Sequence, residues 1–101
     1  AAERVRDRSL DAAHAEKELG NSAFQAKDYG LATARYTVGI ALLPEADTTK
    51  PDTTLLLHSV LLCNRAAALC QLRRWPSARD SAQMAVDLKL HLVRARCRLG
   101  L

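Results

Sequence analysis

Hydrophobic residues recur along this chain at the three- and four-residue spacing of amphipathic helices. The pattern predicts five helices, over residues 9–27, 29–43, roughly 55–72, from about 76 onward, and about 92–101. Ser9, Asp28 and either Thr53 or Thr54 are candidate N-caps, because a short polar side chain can accept a bond from a free N–H in the first turn. Pro76 is tolerated in the first turn of its helix, since the N–H that proline lacks would be unpaired there anyway. The chain is therefore predicted to be all-α, and residues 1–8 either extend the first helix or stay disordered.

Small residues recur at the same offsets in two parts of the chain. Spacings of twelve and seven residues separate the members of each set, which are Gly20, Ala32 and Gly39, then Ala66, Ala78 and Ala85. An aromatic residue, Tyr29 or Trp75, precedes the middle member. Because two helices approach closely only where side chains are small, this pattern predicts packed helical hairpins. We predict that Trp75, in the repeated aromatic position, belongs to the core.

This arrangement resembles the tetratricopeptide repeat family, whose unit is 34 residues and whose usual role is to bind peptides. In that register the full repeats span about 13–47 and 59–92, within a domain of residues 9–101. The resemblance implies antiparallel helical hairpins stacked as a superhelix, with two full repeats plus a partial third or capping helix.

The same register places about a dozen extra residues between the repeats, beginning at Pro44. A partial third repeat begins at Val93, and Gly100 falls at its small position, 34 residues after Ala66. We therefore expect the chain to turn near Leu90–Leu92, although no proline marks that turn.

Charge is unevenly distributed along the sequence. The chain has 15 basic and 11 acidic residues, and its excess of four positive charges lies entirely in Lys89, Arg94, Arg96 and Arg98. This basic cluster is short and has no aromatic residue near it, unlike a typical nucleic-acid surface. We expect a local anion site and no nucleic-acid binding.

Several functional classes are disfavoured by composition. No apolar run approaches the roughly 20 residues that span a bilayer, and the N-terminal residues lack the apolar segment of a secretory signal. Three cysteines, an odd number, are interpreted as reduced packing residues. The three histidines show no metal-ligand spacing, and no catalytic motif or phosphate loop occurs. We expect a cytoplasmic protein with no membrane insertion, cofactor, metal or enzyme activity.

Polar residues at selected helix positions resemble the two-carboxylate clamp of co-chaperone tetratricopeptide domains. That motif has a lysine and an asparagine four residues apart, an Asn-Arg pair in the next repeat, and two basic residues four apart in a third. The matching positions are Lys17, Asn21, Asn64, Arg94 and Arg98. Residues four apart lie on one face of a helix, so five polar groups from three helices are expected to converge on one groove.

The resemblance also implies a ligand and a role for each residue. The ligands would be the acidic C-terminal tails of the 70-kDa and 90-kDa heat-shock chaperones, which end in Glu-Glu-Val-Asp. The groups expected to hold the terminal carboxylate and the last aspartate are those of Lys17, Asn21, Asn64 and Arg98. Arg94 would take another acidic contact, and Phe24 with Ala67 would form a floor for the valine.

Two other functions remain open at this stage. The chain would be either a general repeat scaffold that binds an internal segment of a partner, or the targeting module of a larger enzyme. Self-association through the incomplete third repeat is a further expectation. Taken singly, Lys17 is equally compatible with a solvated helix lysine, and Asn64 with a polar group satisfied inside the hairpin.

Overall fold

The structure is a computed structural model that describes the backbone of residues 2–43 and 53–98 and the side chains of 8–43 and 54–90. Within the described backbone there are four helices, which are α1 (Ala2–Gln25), α2 (Tyr29–Leu42), α3 (Thr53–Gln71) and α4 (Trp75–Arg98). α1 packs against α2 and α3 against α4, and α2 contacts α3, so that two helical hairpins are stacked. The predicted all-α architecture of stacked hairpins is confirmed. None of these helices is both long and apolar enough to cross a bilayer.

The two hairpin loops have the same backbone geometry. Lys27 and Arg73, which follow α1 and α3, adopt left-handed conformations with φ of 63° and 59°. After Lys27, the Asp28 N–H donates to the carbonyl of Ala23 at 2.8 Å, and the equivalent bond after Arg73 measures 3.0 Å. These bonds satisfy carbonyls at each helix end and reverse the chain within three residues. Consecutive helices are therefore held side by side.

Helix limits agree with the sequence pattern at most ends. Asp28 caps α2 as predicted, because its carboxylate accepts a bond from the Leu31 N–H at 3.3 Å. The predicted N-cap at Ser9 is wrong, since α1 already begins at Ala2. No glycine or proline occurs in residues 1–8 to stop the helix there. Pro76 lies in the first turn of α4, as expected.

The small residues lie where the helices approach each other. A Cβ atom on Gly20 would lie 2.5 Å from Cε1 of Tyr36, and one on Gly39 would lie 3.3 Å from the methyl groups of Leu61. The alanines of the repeated pattern are buried as well, at positions Ala32, Ala66, Ala78 and Ala85. Around Tyr36, which is 2% exposed, the core therefore depends on the missing side chain of Gly20.

The prediction that Trp75 belongs to the core is wrong, because its side chain is 60% exposed. The equivalent aromatic of the first hairpin, Tyr29, packs edge-to-face on Phe24 with ring centroids 5.1 Å apart. Cys70 takes the place of Phe24 in the second hairpin and is itself exposed, so Trp75 has no ring to pack on. The interpretation of Cys70 as a packing residue is also wrong, whereas Cys63 is half-buried.

The turn expected near Leu90–Leu92 is also wrong. α4 continues as one helix through Arg94 to Arg98, and no separate helix begins at Val93. Residues 89–98 contain no glycine or proline, so the helical backbone bonds continue without a break. The repeat limits 13–47 and 59–92 stay sequence predictions. Residues 44–52, which form most of the insertion that begins at Pro44, lie outside the described residues, as do residues 99–101.

Replacing Gly20 by alanine tests the close helix contact. Overpacking against a buried ring costs up to about 3 kcal/mol, and alanine regains roughly 1 kcal/mol of helix preference over glycine. We expect Gly20→Ala to lower the free energy of unfolding by about 2 kcal/mol, measured by denaturant titration. Gly30→Ala is the matched control, because a Cβ there would meet nothing within 4 Å. Equal stability of the two variants would contradict this packing account.

Candidate functional site

A pocket of about 270 Å³ opens between α1, α2 and α3. Its lining residues are Asn21, Phe24, Gln25, Tyr36, Asn64 and Ala67. Four of these were predicted from the sequence as site residues, namely Asn21, Phe24, Asn64 and Ala67. The structure therefore brings together groups from two repeats that are far apart in the sequence, as the clamp register predicts.

The centre of this pocket is a hydrogen-bonded group of three side chains. The carbonyl oxygen of Asn21, Oδ1, accepts a bond from the Tyr36 hydroxyl at 2.6 Å. The same oxygen accepts a second, longer bond from Nδ2 of Asn64 at 3.3 Å. Each of the three residues comes from a different helix. Asn64 is thus satisfied by a side chain across the groove and not only by groups inside its own hairpin.

Two lining residues, Gln25 and Tyr36, were not predicted from the sequence, and Tyr36 is the one that bonds to a predicted residue. The clamp pattern involves only α1 and the helices expected to repeat its position, whereas Tyr36 lies on α2. Burial raises the pKa of its phenol above the ordinary value, and the negative charge of Glu18 raises it further. The hydroxyl consequently stays protonated and able to donate at neutral pH. The available signal was the hydroxyl of Tyr36, which stands among small and apolar buried residues of α2.

Lys17 lies one helical turn before Asn21 and outside the pocket lining. Its side chain is 23% exposed, and Nζ lies 3.7 Å from Oε1 of Glu18. The Glu18 side chain is 71% exposed, so water screens this ion pair and makes it weak. An ammonium group has three N–H donors, so Lys17 keeps donors for an anion that enters above Asn21.

The other wall of the pocket is apolar. Phe24 is half-buried and braced by its edge-to-face contact with Tyr29. Ala67 is exposed on α3 and leaves space beside that ring. A small aliphatic side chain fits this wall, whereas hydrogen-bonding groups fit the Asn21 side.

Two predicted site residues lie where the structure describes only the backbone. Arg94 and Arg98 belong to the last turns of α4, and their side chains lie outside the described residues. Their binding role stays a prediction of the sequence. Arg65, the arginine of the Asn-Arg pair, donates from Nε to the hydroxyl of Ser81 at 3.1 Å. Its guanidinium, whose pKa is lowered by burial, therefore links α3 to α4.

Comparison with known proteins supports a tetratricopeptide repeat domain, although no family model matches the chain. The chain is 38% identical over 87 residues to the human mitochondrial import receptor subunit TOM70, which covers 86% of this chain. It is 31% identical over 101 residues to a DnaJ homolog subfamily C member 7 homolog of Dictyostelium discoideum, covering 95% of this chain. A small glutamine-rich tetratricopeptide repeat-containing protein 2 of Mycosarcoma maydis is 35% identical over 94 residues, or 93% of this chain.

The chain spans only a small part of these relatives. It corresponds to 13% of the TOM70 sequence, 17% of the DnaJ homolog and 23% of the glutamine-rich protein. The similarity therefore concerns the helical domain and not the rest of those proteins.

Asn64→Ala separates a role in the groove from a role in folding. Its partner is the half-buried side chain of Asn21, so we expect the free energy of unfolding to fall by no more than about 1 kcal/mol. A buried backbone partner would instead make the loss about 1–3 kcal/mol. Thermal unfolding measures the difference, and a large drop in Tm would contradict a groove-facing role.

Proposed function

We propose that this domain is a protein-interaction module that binds the acidic C-terminal tail of a partner, ending in Glu-Glu-Val-Asp, through a two-carboxylate clamp. The observation that supports this most directly is the convergence of Asn21 and Asn64 in one pocket, with Lys17 one turn away. The proposed partners are the 70-kDa and 90-kDa heat-shock chaperones. No catalytic role is proposed for the chain.

The chemistry of the pocket suits such a terminus. A chain that ends in aspartate has two carboxylates close together, and both need several donors. Lys17 supplies positive charge, whereas the asparagine amides supply donors with fixed directions. Hydrogen bonds to a charged group are about twice as strong as those between neutral groups. The valine that precedes the aspartate would contact Phe24 and Ala67.

The names of the relatives are compatible with a binding role. One relative is named as an import receptor subunit, and another is named for its tetratricopeptide repeats. The proposed clamp consists of groups of α1 and α3. Arg94 and Arg98 were expected in the groove only if the chain turned near Leu90–Leu92, and α4 continues through that segment.

Amidation of the C-terminal carboxylate of the ligand is the most direct test of the proposal. We expect a Glu-Glu-Val-Asp peptide with an amidated C-terminus to bind at least about tenfold more weakly than the free acid, which corresponds to about 1.4 kcal/mol. The N–H donors of Lys17, Asn21 and Asn64 outnumber those that one side-chain carboxylate needs. The free α-carboxylate is therefore expected to take part in binding. Fluorescence anisotropy with both N-terminally labelled peptides measures the ratio. Equal affinities would instead favour a general scaffold that binds internal segments.

The charge of Lys17 has its own test. Lys17→Ala should weaken binding of the free-acid peptide by about tenfold, since a charge-assisted bond in the groove is lost. The remaining affinity should also depend less steeply on salt. Lys89→Ala is the matched control, because Lys89 is an exposed lysine on α4. If both substitutions weaken binding equally, the attraction is a diffuse effect of positive charge.

A further inference from the structure

The amide of Asn21 has only one hydrogen-bonding side left for a ligand. A carbonyl oxygen has two lone pairs, and Oδ1 of Asn21 already accepts bonds from Tyr36 and Asn64. Its two N–H groups make no bond to either of these partners. Asn21 therefore acts as a donor toward any group that enters the pocket.

The reversed orientation of this amide is disfavoured by its neighbours. Turning the amide over would place the NH₂ group of Asn21 against the NH₂ group of Asn64, so that two donors would face each other. The hydroxyl of Tyr36 would lose the oxygen to which it now donates at 2.6 Å. This hydroxyl belongs to a buried residue, and buried donors require partners.

Packing fixes the position of the Tyr36 hydroxyl before any ligand arrives. The ring is 2% exposed and lies against Gly20, at which a Cβ would come within 2.5 Å of the ring. A side chain fixed by close packing holds its hydrogen-bonding group in one place. The shortest bond of the pocket network is thus made by its most buried member.

We infer that Tyr36 is a positioning residue that holds the N–H side of the Asn21 amide toward the groove and makes the pocket selective for a carboxylate over a carboxamide. This inference rests on the proposed function for its ligand. A carboxylate offers acceptors alone and suits the donors of Asn21 and Lys17. A carboxamide instead places its own NH₂ group, which is also a donor, against one of these donors. Selectivity then arises from the donors that a wrong ligand leaves unpaired.

Tyr36→Phe removes the hydroxyl and keeps the ring that fills the space at Gly20. Wild type and variant are titrated with Glu-Glu-Val-Asp peptides that end in a free carboxylate or a carboxamide. We expect the wild type to prefer the free acid at least about tenfold, and we expect this preference to be about threefold smaller in Tyr36→Phe, in which the charge of Lys17 still favours the free acid. Tyr29→Phe is the matched control and should keep the wild-type ratio, because that tyrosine does not line the pocket.

The ratio separates positioning from a general structural effect. Loss of stability alone would weaken both peptides by the same factor and leave the preference unchanged. A Tyr36→Phe variant with the wild-type preference would overturn the inference and leave the proposed function intact. A wild-type protein without any preference would overturn the proposed function itself.

A second measurement needs no ligand. In ¹⁵N-labelled protein, the side-chain NH₂ resonances of Asn21 should shift in Tyr36→Phe and stay in place in Tyr29→Phe. An unchanged Asn21 signal in Tyr36→Phe would refute the positioning role, regardless of the peptide affinities.

Discussion

The contact between Gly20 and the ring of Tyr36 is the constraint on which the pocket depends. Any side chain at Gly20 would overlap the ring, since a Cβ would lie 2.5 Å from it. Its absence lets α1 and α2 approach, and the buried ring then places its hydroxyl 2.6 Å from Asn21. A packing requirement of the first hairpin therefore also fixes the polar geometry of the groove.

The stacking of the second hairpin completes this geometry. α3 packs on α2 and brings Asn64 to the same oxygen of Asn21 that Tyr36 contacts. Three helices thus contribute one polar group each, and the carbonyl oxygen of Asn21 is satisfied by the other two groups without a ligand. Such an arrangement is ordered in advance, so that less conformational freedom is lost when a carboxylate enters. The apolar wall at Phe24 and Ala67 is formed by the same stacking.

Two of the wrong predictions, for Trp75 and for the end of α4, have a common physical origin. Trp75 repeats the position of Tyr29, but its exposure depends on whether a ring is present at the place that Cys70 occupies. The end of α4 likewise depends on what packs beyond it, because residues 89–98 contain no local stop signal. Periodicity along the chain gives the position of a residue in a repeat. It does not give the residues that pack around that position in the folded protein.

The sequence by itself determined the helical class, the small residues at the hairpin contacts, the cap at Asp28 and the convergence of Asn21 and Asn64 on one groove. These features follow from spacing within a helix and from the fixed offset between repeats, both of which are visible in the order of residues along the chain. Only the tertiary structure decided that Tyr36 completes the pocket, that Trp75 is exposed and that α4 continues to Arg98. Each of these depends on atoms from distant parts of the chain, because hydrogen-bond partners and burial are set by packing.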